Sequence, residues 1–262
     1  MLVTVFTPTY NRAYIISKLY ESLLCQTNMC FEWVVVDDGS TDNTQELFEK
    51  ILKENKIAVN YIKTENGGKQ RAINKGVSVA KGDLFFIVDS DDYLTDDAVF
   101  NISKHWDSIK DKNGIAGLCF RRVYYNTHKF IGGDCDVAEG EYSSIEIANR
   151  LQISGDKAEV FKTSIMKLFP FPEFKNENFV PEALVWNRIS KDHKLKFINI
   201  GIYLCEYLPD GLSHNFYQNL QKNPQGFALF YKEVLFCKGM PFFIKIKSLI
   251  RYLQCSFFSL KK

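Results

Sequence analysis

Nowhere in its 262 residues does this sequence hold an uncharged apolar run of about 20, the length that a membrane-crossing helix needs. Its first residues, Met-Leu-Val-Thr-Val-Phe-Thr-Pro, have no basic stretch ahead of the apolar ones, so they read as a strand and not as a secretory signal. CxxC spacing is missing too, and the seven cysteines are odd in number and scattered through mostly apolar stretches. That usage argues against a disulfide framework and a zinc site, and fits a reducing compartment. Net charge is nearly lacking, at +2, which removes any global electrostatic case for nucleic-acid binding. There are no internal repeats and no low-complexity tract. One further absence is local: no Asp or Glu follows Glu233, while Lys238, Lys245, Lys247, Arg251, Lys261 and Lys262 accumulate. What is present is 46% hydrophobic residues, ample for a buried core at this length.

The first half alternates strand and helix signals. Residues 2–7 are a short run rich in β-branched side chains, halted by Pro8. Ile15, Ile16, Leu19, Tyr20, Leu23 and Leu24 follow at helical spacing. Residues 31–36 make a second, nearly all-apolar strand, and Thr41 or Asp42 caps a helix whose apolar face is Leu47, Phe48, Ile51 and Leu52. Residues 58–63 form a third strand. Gly67-Gly68 opens a helix through Ala72, Ile73, Gly76, Val77 and Ala80, and residues 84–88 are a fourth strand. This alternation predicts an α/β fold with a mostly parallel central sheet and helices on both faces. The second half is less regular: strands over 115–120 and 195–204, helices over 144–151 and 182–189, loops over 132–142 and 169–178.

Each early strand runs directly into polar residues: Pro8-Thr9-Tyr10-Asn11-Arg12, Asp37-Asp38, Glu65-Asn66-Gly67-Gly68 and Asp89-Ser90-Asp91-Asp92. In an open parallel sheet those strand ends share one edge, where ligands bind. Asp89 and Asp91, two apart in extended chain, face the same way and suit one hard divalent ion, Mg²⁺ or Mn²⁺, completed by substrate phosphates. Asp38 suits a nucleobase N–H or a ribose hydroxyl, and Asp37 and Asp42 suit turn and helix caps. Gly67-Gly68-Lys69-Gln70-Arg71 at a helix start suits an anion.

Together the segments 7–12 (TPTYNR), 34–44 (VVVDDGSTDNT), 65–76 (ENGGKQRAINKG) and 82–92 (GDLFFIVDSDD) resemble family 2 glycosyltransferases of the GT-A fold. The close match covers residues 1–92. The resemblance implies an inverting transferase using a nucleotide sugar. Thr7, Pro8, Tyr10 and Asp38 would line the nucleotide pocket, with Arg12, Lys69, Arg71, Asn74 and Ser90 also on the donor. Asp89 would face ribose and metal, and Asp91 would ligate the metal. In the commoner family form an Arg immediately precedes the Asn, whereas here Ile73 precedes Asn74.

Displacement at an anomeric carbon also needs a carboxylate within reach of the acceptor hydroxyl. By the resemblance it comes from a helix start, and the candidate is Glu182, after Pro181; its apolar neighbours are expected to raise its pKa. Glu177 and Asp156 are alternatives. His214 is a further candidate for the metal or diphosphate, and Trp186 and Tyr207 for core packing or sugar stacking. In the tail, Phe242, Phe243, Ile246, Leu249, Ile250, Leu253 and Phe257 stand near helical spacing among basic residues, as in an amphipathic helix on an anionic membrane or packed on protein. The reading is a donor half (1–92), an acceptor half (93–225) and an amphipathic helical tail (226–262). It acts with Mn²⁺ or Mg²⁺ on a nucleotide sugar, most naturally a UDP-sugar. The acceptor is a glycan or lipid-linked hydroxyl in bacterial cell-surface polysaccharide synthesis, in the cytoplasm or on the inner face of the cell membrane. The rivals are a nucleotidyltransferase, a non-catalytic sugar-nucleotide or glycan-binding module, and a phosphoacceptor signalling domain.

Overall fold

In the computed structural model, the described residues are 1–133, 139–206 and 216–260. The elements run β1 (Val3–Thr9), α1 (Ile16–Leu24), β2 (Phe31–Asp37), α2 (Thr44–Glu54), β3 (Val59–Lys63), α3 (Lys69–Val79), β4 (Leu84–Ile87) and β5 (Tyr93–Leu94). Then come α4 (Ala98–Trp106), β6 (Ile115–Tyr124), β7 (Gly140–Tyr142), α5 (Ser144–Asn149), β8 (Ala158–Lys162), α6 (Thr163–Leu168), α7 (Ala183–Ile189) and β9 (Lys194–Cys205). The chain ends in α8 (Phe216–Lys222), α9 (Pro224–Phe236) and α10 (Phe242–Leu260).

One sheet takes strands from both halves in the order β3-β2-β1-β4-β8-β6-β9-β5, with β7 on β9. β3, β2, β1 and β4 are mutually parallel, β8 runs against both β4 and β6, and β9 is parallel to β6. Strand alternation divides the core in two. Val3, Val5, Trp33, Val35 and Phe86 face one side and pack with α1, α2 and α4. Phe6, Val34, Val36 and Phe85 face the other, with α3, α6 and α7. α3 lies so close to β1 that a Cβ on Gly76 would stand 2.2 Å from the Phe6 ring.

Pro8 does not end β1, which continues to Thr9. β4 pairs with β1 only as far as Phe6, so the missing N–H of Pro8 has no partner on that side to disappoint. Beyond Phe6 the two strands part, at the point where the chain order reverses from β2-β1 to β4. That parting opens the crevice.

Some expectations are corrected in detail. The strand read over 115–120 runs on to Tyr124, and the last three residues of the expected 132–142 loop form β7. Neither Thr41 nor Asp42 is the N-cap of α2; Asn43 is, although Asp42 Oδ1 accepts from the Thr44 N–H at 3.1 Å. The tail is a hairpin of two helices. α10 packs against α9 through Cys255 and Phe258, with Leu220, Phe227 and Tyr231 in the same apolar cluster. The stripe expected to be apolar is outward and open to solvent: Phe242 is 72%, Phe243 77% and Leu253 59% exposed. No helix among the described residues is long and apolar enough to cross a membrane.

Candidate active site

A cleft of about 1340 Å³ opens at the carboxyl ends of β1, β2 and β4 and extends past α5 and α7 to α8–α10. Its donor-side rim is stitched together by side chains acting on backbone. Asn11, held at φ 53°, accepts the Thr41 N–H at 2.8 Å, and its own N–H donates to Ser40 Oγ at 2.8 Å. Asp37 is fully buried and accepts from the Ser40 N–H at 2.7 Å and the Tyr61 hydroxyl at 2.5 Å, so it builds the turn. Asp38 reaches the cleft, where its two oxygens accept the Gly67 and Gly68 N–H groups at 2.7 Å each. Burial raises the Asp38 pKa against the lowering pull of those two donors. Gly68 sits at φ 94°, and a Cβ there would stand 1.9 Å from the Asn178 carbonyl oxygen, so only glycine serves.

Pro8, Tyr10, Arg12 and Ser90 line the cleft, whereas Thr7 turns into the core and accepts from Trp33 Nε1 at 3.0 Å. Thr9 takes its place. Thr9 is 3% exposed, lines the cleft, and its hydroxyl has no hydrogen-bond partner among the described residues. A buried hydroxyl without a partner at a cleft wall is a ligand contact in waiting.

The acidic end is held by two cations. Lys69 Nζ lies 2.6 Å from Asp89 Oδ1 and 2.8 Å from Glu182 Oε1. Arg122 Nη1 lies 3.9 Å from Asp89 Oδ2 and 3.6 Å from Asp92 Oδ2, and its guanidinium lies over the Tyr203 ring at 4.0 Å. The Tyr203 hydroxyl in turn accepts the Asp89 N–H at 2.9 Å. Burial alone would raise the Asp89 pKa, but Lys69 and Arg122 outweigh it and hold the carboxylate ionised. Burial works against the charge on Lys69 as well, and Asp89 and Glu182 outweigh it, so the ammonium persists. Asp91 is raised by burial and then by Asp89, and Asp92 is pushed up to about 7 by burial, with Asp89 the next cause.

Glu182 is the N-cap residue of α7, and its neighbour in the cleft is a cation, not the apolar setting expected. Of its rivals, Glu177 is buried and caps α9, accepting the Gln225 and Gly226 N–H groups at 2.8 and 2.9 Å. Asp156 is exposed at the cleft rim. Arg71 and Asn74, expected on the donor, instead hold the 171–178 loop. Arg71 donates to the carbonyls of Gly67, Glu177 and Phe174, and Asn74 exchanges hydrogen bonds with the Phe171 backbone at 2.9 Å each way. Trp186 touches the cleft but packs on Phe161, ring centroids 4.4 Å apart. His214 and Tyr207 lie outside the described residues.

Arg122, Tyr203 and Glu159 were not anticipated, and Thr9 was expected at the crevice only as part of the polar run 8–12. Arg122 had a signal: Arg121-Arg122 interrupts an apolar strand, and alternation sends one arginine to each face. Arg121 is buried against Asn199 and the carbonyls of Ile131 and Gly133. For a divalent ion, Asp89 and Asp91 are the carboxylates at hand; among the described residues no group of three or more His, Cys, Asp or Glu is placed to hold a metal ion by itself. Two carboxylates fit Mg²⁺ or Mn²⁺, which keep waters and take substrate phosphates for the rest of their shell.

Comparison with known proteins agrees with this geometry. The family model described as glycosyl transferase family 2 matches residues 4–176. Glycosyltransferase GlyG of Streptococcus pneumoniae is 30% identical over 218 residues, covering 78% of this chain and 70% of GlyG. Chondroitin synthase of Pasteurella multocida is 30% identical over 200 residues, covering 76% of this chain but only 19% of that enzyme. Among solved structures, residues 1–349 of S. aureus TarS in complex with UDP-GlcNAc superpose with a TM-score of 0.73 at 22% identity, covering 98% of this chain and 73% of that one.

Proposed function

The chain belongs to glycosyl transferase family 2 and is a glycosyltransferase. From that premise we propose that it moves a sugar from a UDP-sugar to an acceptor hydroxyl with inversion, in the synthesis of a bacterial cell-surface polysaccharide or lipid-linked glycan. The observation that carries the reading is the Lys69 bridge, which sets Asp89 at the donor end and Glu182 across the cleft within 2.8 Å of one nitrogen. UDP is favoured because the TarS neighbour binds UDP-GlcNAc.

Residues 1–92 are the donor half and 93–225 the acceptor half. Pro8, Thr9, Tyr10 and Arg12 receive the nucleotide, with Asp38 holding the Gly67-Gly68 turn beneath it and offering its remaining lone pairs to base or ribose. Asp91 and Asp89 would hold the divalent ion, Mn²⁺ or Mg²⁺, whose chemistry is to neutralise charge developing on the leaving diphosphate. On donor binding Lys69 turns from Glu182 toward a phosphate oxygen. Glu182 Oε1, now unpaired, takes the proton of the acceptor hydroxyl as it attacks the anomeric carbon from the face opposite the nucleotide. The tail (226–262) places the enzyme peripherally on the inner face of the cell membrane, a reading supported by the exposed apolar stripe of α10 and by the lack of acid after Glu233.

A panel of UDP-, GDP- and dTDP-sugars with Mn²⁺, scored by binding and slow donor hydrolysis, tests this. UDP-sugars should bind and hydrolyse. Turnover confined to a nucleoside triphosphate plus a sugar phosphate would establish a nucleotidyltransferase instead.

A further inference from the structure

Away from Glu182 the charge lining the cleft becomes uniform. At the donor end Asp38, Asp89, Asp91 and Asp92 are interleaved with Arg12, Lys69 and Arg122. Where α8, α9 and α10 form its wall, the charged lining residues are Lys222, Lys247 and Arg251, with no Asp or Glu from those helices. The acid of α9, Glu233, is turned away and paired to Arg188 at 2.7 Å. Arg251 is held at the wall by Gln254, to which it donates at 3.0 Å, and by the Phe216 ring 5.4 Å beneath it. Between these cations the wall is apolar, with Phe230, Tyr231 and Ile244. Cations set among apolar side chains fit an amphiphile that carries an anionic group.

The same helix, α10, has a second face. Phe242, Phe243, Leu249, Ile250, Leu253 and Phe257 recur at helical spacing and are all exposed. Lys245 and Lys247 stand on either side of this stripe, and no acid occurs in α10. An apolar stripe on a helix whose charged residues are all basic is complementary to an anionic bilayer surface.

We propose that α10 is the acceptor-side wall of the active site, with Lys222, Lys247 and Arg251 forming a subsite for the phosphate of a lipid-linked acceptor whose lipid stays in the bilayer under the outer face of the helix. The proposal rests on the glycosyltransferase reading and names its acceptor class. The phosphate meets the cations, the acceptor sugar projects along the cleft, and its hydroxyl reaches Glu182.

The full chain is titrated by calorimetry with farnesyl phosphate, farnesol, inorganic phosphate and UDP, and sedimented with phosphatidylcholine vesicles with and without phosphatidylglycerol. Farnesyl phosphate should bind at least about tenfold more tightly than farnesol or inorganic phosphate, since it offers both the charge and the apolar chain. The triple variant K222A/K247A/R251A should lose about tenfold of that affinity. L249E/L253E should keep farnesyl phosphate binding and lose sedimentation with the anionic vesicles. Unchanged UDP binding and melting temperature certify that both variants are folded. Equal binding of farnesyl phosphate by the triple variant, binding of inorganic phosphate as tight as that of the ester, or no sedimentation of the parent chain with anionic vesicles would overturn the proposal. Failure of the parent chain to bind UDP would instead overturn the donor assignment, with the farnesyl phosphate comparison still deciding the subsite.

Discussion

Lys69 ties a donor-side carboxylate to the residue assigned as base, so its removal and theirs should leave different signatures. Glu182→Gln should keep UDP-sugar binding and lose transfer by about 10²-fold or more, the usual worth of a positioned general base; full transfer by that variant would move the base elsewhere. Asp91→Asn should leave the fold intact, as judged by melting, and weaken Mn²⁺-dependent UDP binding; binding that is equally strong with and without Mn²⁺ in the parent chain would refute the metal assignment. Glu159 gives a pH test apart from the metal ligands. Burial pushes its carboxyl up to about 7 from an ordinary 4.5. Between those values the folded protein holds a proton that the unfolded chain has released, so this group makes stability fall as pH rises through that window. Glu159→Gln should therefore be more stable than the parent at pH 8, by on the order of 1–2 kcal/mol, and equal to it near pH 4. Parallel melting curves across that range would refute the account. At this scale legibility was uneven. Asp89 and Asp91 could be found because they end an apolar strand. Thr9 stood in a polar run at a strand end and Arg122 in an arginine pair that interrupts an apolar strand, but which of these side chains enters the cleft is set by the parting of β1 from β4 and the stacking on Tyr203.

At the scale of elements, β1–β4 and α1–α3 were readable because each has a clean period and a polar stop, and because neighbours in sequence are neighbours in space. The later elements lack that. β5 is two residues long and exists through its pairing with β9, more than 100 positions away. β8 takes Glu159 as the second of its five residues, since there the strand borders the cleft. α9 starts at Pro224 with a cap supplied from outside it by Glu177. Glu177→Ala should leave two helix-start N–H groups without an acceptor and cost about 1–3 kcal/mol. Hydrogen exchange should locate the loosening in α9 and α10, and a uniform loss of protection would contradict it. Gly68→Ala should cost about 1–3 kcal/mol from backbone strain, before its clash with Asn178 is counted, and should also displace the turn that Asp38 holds. A variant with parental stability and UDP affinity would show that the turn is not needed.

For the whole molecule, the sheet is a single mixed surface in which the GT-A half read from the first 92 residues is extended by strands that return antiparallel and parallel. The hairpin at the end joins it through few strong anchors. Glu177 accepts from Gly226 across 49 positions, and its own carbonyl accepts from Arg71 across 106. Apart from the Arg188–Glu233 pair to α7, this part of the hairpin's docking surface exists only once the 171–178 loop has been laid against α3. Contacts that close such long intervals form late, because the chain entropy they cost is repaid only after both ends are structured. In refolding followed by pulsed hydrogen exchange, α9 and α10 should gain protection after the sheet does, so the outward apolar stripe becomes a shaped surface only on a chain whose cleft is already built.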